Sequence, residues 1–281
     1  MLILLPPSET KRSGGEAVPL DFTRLAYPSL NAKRRTLARA LVALSQQPDE
    51  ARTALKLGRT QLFEIDRNRE VLSSPTLPVI DRYTGVLFDG LDSATLSVAQ
   101  REFAHAHLAV HSALLGPLAA LDPIPAYRLS HDSRVPTLTM AQQSVKAYTL
   151  RQHWNIDVAK VLGQSEGLLL DFRSEAYVAL GARPLRPDSL YLRVVADAGN
   201  GQKRALNHFN KKSKGEFTRA LLDQQHDFLT PSELIDWARS VGIRLAAGAP
   251  GELELVVEQN LASAGRPASS TIYTGAELCR G

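Results

Sequence analysis

The apolar residues of this 281-residue chain fall in short runs: Leu2-Ile3-Leu4-Leu5, Gly167 to Phe172, Tyr191 to Val195 and Glu252 to Val257. Runs of this length fit buried strands, and none approaches the roughly 18–20 apolar residues of a membrane helix. The stretches between them have helical period. Residues 32–46 put Leu37, Leu41 and Leu44 on one face, and 97–114, 144–162, 217–225 and 231–241 read as further helices. Residues 205–210 are expected to pair with Tyr191 to Val195 around an Asn200-Gly201 turn, and 83–91 mixes strand-like residues with glycines. Buried strands separated irregularly by amphipathic helices imply an α/β fold, mixed α+β in detail. The expected architecture is a single compact domain over 1–258, with a mixed sheet surrounded by helices. Residues 259–281 turn small and polar and are expected to form a loosely ordered tail.

Composition excludes several classes. Hydrophobic residues make up 44% and charged residues 22%, too apolar and too evenly charged for a disordered chain. Cys279 is the single cysteine, so neither a disulfide framework nor a Cys-rich metal ribbon is available. The first apolar run stops at Pro6-Pro7, too short for a signal-peptide core, and a cytoplasmic location is expected. No heptad repeat is present, and a monomer is expected. Lys plus Arg is 33 against 29 for Asp plus Glu, a net charge of +4 that permits a polyanionic partner without demanding one. Clustering of the cations therefore matters more than their total.

Five cations do cluster: Lys203, Arg204, Lys211, Lys212 and Lys214, ending at Gly215. A strand between the two groups would bring them to one side of the sheet. Gly215 and a helix after it would add backbone N–H donors, giving a phosphate-binding corner. A solvated lysine loop is the plain alternative. A second feature spans residues 48–68, where two short helical segments flank Lys56-Leu57-Gly58-Arg59. A tight Gly-containing turn between helices is how a helix-hairpin-helix offers amides to phosphates, with Lys56 and Arg59 beside it. The usual hairpin has two glycines, only Gly58 is present, and an ordinary helical corner would carry the same residues.

Other residues carry weaker signals. His105, His107 and His111 form an H-x-H-x3-H array, but only Glu102 lies near it, and no metal is expected. His131-Asp132 is a lone dipeptide. Tyr127 and Arg128 follow a Pro-rich loop, and Asp171, Glu175 and Tyr177 follow a buried strand, where α/β proteins place ligand sites. Nucleotide-binding and hydrolase signatures such as G-x-x-x-x-G-K-[ST] and G-x-S-x-G are absent, and no cofactor is expected.

These segments together resemble the YaaA family of peroxide-stress proteins, in its actinobacterial branch. Met1 to Thr10 is similar to the family's opening, and Tyr83 to Leu91 to its aromatic-x-Gly…Tyr-x-Gly-Leu segment, with Phe88 in the tyrosine's place. Ser112, Gly116, Leu121, Asp122, Tyr127, Arg128 and Leu129 match a Ser-Gly-Leu-Tyr-Gly…Leu-Asp…Pro-Tyr-Arg-Leu stretch. Phe172 to Tyr177 and Asn210 to Gly215 resemble the Ala-Ser-x-Glu-Tyr region and the Lys-Lys-Ala-Arg-Gly loop. The departures are Glu9 for the usual Lys, Ala119 and Ala120 for Arg-Pro, and Lys214 for Arg. The first two remove cations, and the third loses the guanidinium fork.

The resemblance implies one α/β fold with an embedded helix-hairpin-helix and a basic cleft. It also implies cytoplasmic binding of double-stranded or branched DNA, and protection from hydrogen peroxide through restraint of free iron. On this reading Lys56, Gly58 and Arg59 hold phosphates at the hairpin, and Lys203, Arg204, Lys211, Lys212 and Lys214 do so at the cleft. Tyr127 and Arg128 are expected on the cleft wall with Asp171, Glu175 and Tyr177. Binding rather than catalysis is expected. The competing reading is an enzyme acting on a nucleobase, nucleotide or damaged DNA, its phosphate held by the lysine loop.

Overall fold

β1 (Leu2–Leu5) is an interior strand of the sheet, buried along almost its whole length. The computed structural model describes residues 1–135, 149–197, 203–205 and 209–258. After β1 the chain builds a helical layer: α1 (Asn31–Ser45), α2 (Pro48–Ala54) and α3 (Phe63–Arg69). The two-residue strand β2 (Leu77–Pro78), α4 (Val79–Arg82), α5 (Val86–Leu91) and α6 (Val98–His107) follow. The chain re-enters the sheet as the hairpin β3 (Leu108–Ser112) and β4 (Gly116–Ala119), and β5 (Pro123–Ile124) pairs with β2. Next come α7 (Leu150–Gly163), β6 (Leu169–Asp171), α8 (Glu175–Val178), β7 (Ser189–Asp197) and β8 (Lys203–Ala205). The last elements are α9 (Phe209–Gln224), α10 (Pro231–Ser240), β9 (Leu245–Ala247) and β10 (Glu252–Glu258).

The eight-stranded mixed sheet has the order β4-β3-β1-β6-β7-β10-β9, with β8 added to β7. Its five central strands run parallel, and β4, β8 and β9 are antiparallel additions. β1, β3 and β6 are covered on both faces and are buried almost without alternation, whereas β7 and β10 alternate apolar with polar residues. Leu37, Leu41 and Leu44 of α1 are buried as their spacing requires, and one continuous core runs from Met1 to Leu255. No described helix is long and apolar enough to cross a membrane.

Two features of the topology create a site. The chain leaves β1 towards β3 on one side and later reaches β6 on the other, so the loops after β1 and β6 diverge at their carboxyl ends. A crevice at such a reversal is where open α/β sheets take ligands. Moreover, β7 overshoots β6. Ser189 to Tyr191 pair with β6, whereas Val195 to Asp197 lie beyond its end and pair with β8. The far half of β7 therefore forms a wall above the crevice.

Four expectations need correction. The 97–114 helix ends at His107, and Leu108–Ser112 is a strand buried at every position. An apolar run of five cannot be told from helix by period, and pairing with β1 decides it. Residues 83–91 contain α5 rather than a strand. Of the expected 205–210 strand, Ala205 lies in β8 and Phe209 and Asn210 begin α9, while residues 206–208 lie outside the described residues. As a result, Lys211, Lys212 and Lys214 ride on the early turns of α9, and Gly215 lies inside the helix with no free amide to offer.

Gly215 serves packing instead: a Cβ there would sit 2.0 Å from the Leu87 carbonyl oxygen, and one on Gly90 would sit 2.9 Å from that of Lys212. α5 and α9 thus touch backbone to backbone. The Asn200-Gly201 turn, residues 144–148 of the expected 144–162 helix, and the 259–281 tail lie outside the described residues.

Candidate functional site

The crevice between β1 and β6 opens into a cleft of about 640 Å³. Pro6, Pro7 and Glu9 bring the loop after β1 to one side, and Phe172, Ser174, Glu175 and Tyr177 bring the loop after β6 to the other. Tyr191 to Val195 of β7 supply the overhanging wall, and α9 contributes Asn210, Lys211 and Lys214. Ser130 and His131 close a fourth side.

The cations differ in how far they are neutralised. Arg193 is held by Glu252 at 2.6 Å and lies 3.8 Å from Glu175. Lys211 is exposed, and Lys214 is 4% exposed; among the described residues neither has a carboxylate in ion-pair range. The Lys214 ammonium donates to the Phe172 carbonyl at 3.0 Å and lies 5.5 Å from the Tyr191 ring centre. Burial lowers its pKa to about 8, an effect that Asp171 opposes. A group so placed gains from any anion that enters the cleft.

Two buried polar clusters stand behind these walls. Behind β6, Asp171 and Arg173 form a fully buried bidentate pair at 2.8 and 2.6 Å, and Arg173 also donates to Gly181 O at 3.0 Å. Arg173 Nη1 approaches His111 Nδ1 at 2.8 Å. A guanidinium only donates, so Nδ1 accepts and the ring proton is on Nε2, which has no partner among the described residues. Burial and Arg173 hold the His111 pKa well below its ordinary value.

Behind β1, Lys11 donates to Ser8 O at 3.0 Å and Glu9 O at 3.3 Å. Its ammonium lies 4.2 Å from the centre of the Tyr127 ring and 5.1 Å from that of Tyr83. Burial lowers its pKa to about 7. Ser112 Oγ accepts from the amides of Leu114 and Leu115, so its hydroxyl donates to Tyr127 Oη at 2.6 Å, and Tyr127 passes a hydrogen bond to Tyr83 at 2.7 Å. Burial pushes the Tyr127 pKa up to about 12 and raises that of Tyr83 as well.

The expected site residues divide accordingly. Lys211, Lys214, Glu175 and Tyr177 line the cleft. Tyr127 and Asp171 do not: both are buried behind the walls, so Tyr127 has no face free for stacking on a base. Arg128 is almost buried and already bound to Glu9 at 2.6 Å. Glu9, standing where the resemblance expects a lysine, thus both removes a cation and neutralises another. Lys212 turns to a separate depression, 3.5 Å from Glu216. For Lys203 and Arg204 the backbone alone is described, paired with Asp197 and Ala196.

Lys56, Gly58 and Arg59 lie between α2 and a short 3₁₀ turn, Arg59–Gln61, that leads into α3. Lys56 has φ 55° and forms an ion pair with Asp132, beside the cleft residue His131. Arg134 N–H donates to Ala54 O at 3.3 Å, so the 130–134 segment joins this turn to the cleft. The three histidines separate: His105 and His107 are on α6, His111 is on β3.

Sequence reading missed Lys11, Tyr191 and Arg193. Tyr191 and Arg193 had a signal, being the polar positions of period 2 within β7. Lys11 had none, because its partners at 8, 83 and 127 meet only in the fold.

A family profile described as "Peroxide stress protein YaaA" matches residues 1–243. A UPF0246 protein of Corynebacterium glutamicum is 39% identical over 86% of this chain and 94% of its own length. Others from Corynebacterium efficiens and Streptomyces coelicolor are 37% identical over 92% of this chain and 35% over 90%, covering 100% and 94% of the relatives.

Proposed function

This chain belongs to the peroxide stress protein YaaA family, and we infer that it binds DNA without sequence specificity as part of the cytoplasmic response to hydrogen peroxide. The observation that carries the reading is a cleft with two lysines that have no carboxylate partner among the described residues, joined through residues 130–134 to a turn bearing Lys56 and Arg59. Cations on two adjoining surfaces suit a phosphate backbone, which is long, evenly charged and blind to base order. The 48–68 segment acts as a helix-hairpin-helix, and double-stranded or branched DNA is the partner of a monomer. Covering DNA in this way shields it from iron-driven oxidation.

Fluorescence anisotropy on labelled duplex and four-way-junction DNA across a salt series tests this. The expected result is salt-sensitive binding, with the log–log salt slope falling by about one per cation removed in Lys211→Ala/Lys212→Ala and in Lys56→Ala/Arg59→Ala. Binding that neither pair weakens, or none at low salt, overturns the reading. A catalytic reading has less support, because the cleft carboxylate Glu175 is 80% exposed at the rim, open to solvent rather than enclosed beside a substrate.

A further inference from the structure

The cleft is too small for a duplex. Taken as a sphere, its volume spans about 11 Å, the width of one α-helix, whereas the major groove of B-DNA alone admits a whole helix. A duplex lies across the mouth, and only a single unit enters. The volume lies within the roughly 300–1,000 Å³ of small-ligand sites.

The walls are also differentiated in a way that a backbone-tracking groove does not require. The cationic end is Lys211 and Lys214, the latter using one of its three donors on Phe172 O. Next to it stand two ring surfaces from different elements, the nearer being Tyr191, 5.5 Å from the Lys214 ammonium. Tyr191 is half-buried on β7, and the half-buried His131 ring lies 5.5 Å from Tyr177 on α8, which is 9% exposed and backs it at the cleft wall. An anion and a planar ring in one small volume are the two halves of a nucleotide.

We propose that the β1–β6 cleft is a mononucleotide site, taking one phosphorylated nucleoside with its phosphate at Lys211 and Lys214 and its base against Tyr191 and the Tyr177–His131 pair. The proposal rests on the reading of the basic cleft as a phosphate-binding surface. The same unit can be a free nucleotide or one swung out of a DNA strand, at an unstacking cost of a few kcal/mol in the second case.

The full chain is titrated with thymidine 5′-monophosphate, thymidine and inorganic phosphate, followed by calorimetry. The monophosphate is expected to bind at least tenfold tighter than either part. Ser174→Trp fills the mouth from an exposed rim position whose hydroxyl makes no cap bond, and is expected to weaken it at least tenfold. Lys211→Ala, at an exposed helix position, is expected to weaken it severalfold and serves as the second variant. Equal affinity for phosphate and nucleotide, or indifference to both substitutions, overturns the proposal.

A duplex carrying 2-aminopurine separates the sources. A fluorescence rise on binding that Ser174→Trp abolishes assigns the site to an extruded nucleotide. Mononucleotide binding without that rise assigns it to the free ligand. Duplex binding with neither response overturns the mononucleotide site and leaves DNA binding intact. Mononucleotide binding without duplex binding does the reverse.

Discussion

Arg173 and Lys11 are both buried cations behind the same cleft, and the fold treats them in opposite ways. Arg173 meets a buried carboxylate through two hydrogen bonds and the Gly181 carbonyl through a third, so its charge is fixed. Lys11 has two carbonyl oxygens and two aromatic rings but, among the described residues, no carboxylate in ion-pair range, and its pKa falls to about 7. Burial alone does not decide what a charge does; its partner does.

The largest effect separating them should come from Arg173→Met. It leaves Asp171 buried without its partner, and a loss of about 3–5 kcal/mol is expected in urea unfolding at pH 7. Lys11→Met should cost less than about 1 kcal/mol at that pH, because an apolar side chain avoids the desolvation that Lys11 suffers. Equal damage from the two substitutions would break the distinction.

The pH dependence sharpens it. The folded Lys11 pKa is about 7 against an ordinary 10.5, so between these values the unfolded chain binds more protons. Wild-type stability should therefore rise by a few kcal/mol from pH 7 towards pH 10, with the burial penalty fully present below pH 7. Glu64 and Glu9 oppose the shift, whereas Arg128 and Arg67 reinforce it. Lys214, lowered to about 8, adds a smaller rise in the upper part of the window. Lys11→Met should remove most of the slope and Arg173→Met should leave it. A slope unchanged by Lys11→Met would show that the amine is not the titrating group.

Between the two substitutions at pH 7 lies Tyr127→Phe, at about 1–2 kcal/mol, since it deprives both Ser112 and Tyr83 of a buried partner while keeping the ring beside Lys11. Its pH slope should match that of wild type.

How much of this was legible follows from the kind of signal each part carries. β1 and β6 announce themselves because parallel strands buried on both faces are apolar throughout, and β7 and β10 because their apolar residues alternate with polar ones. β3 hides behind α6, since Leu108-Ala109-Val110 continues a helical pattern until β1 claims it. The lysines at 211, 212 and 214 were visible as charge, but a basic run says nothing of helix or loop. Lys11 was invisible, because residues at 8, 11, 83, 112 and 127 become neighbours only when the loop after β1 crosses the end of β3. Tyr127 shows the converse: a plausible ligand contact by motif, it is an interior hydrogen-bond relay by structure.

The backbone contact between α5 and α9 has a consequence for recognition. Lys211 and Lys214 sit on a helix whose Gly215 leaves no room for even a methyl group against Leu87. The helix has little freedom to shift or rotate, so the disorder of these two cations is confined to their side-chain rotamers. Binding an anion there then surrenders less motion than it would on a loop bearing the same residues. On the proposed reading the glycine contributes to affinity without touching the ligand, by having spent that entropy when the chain folded.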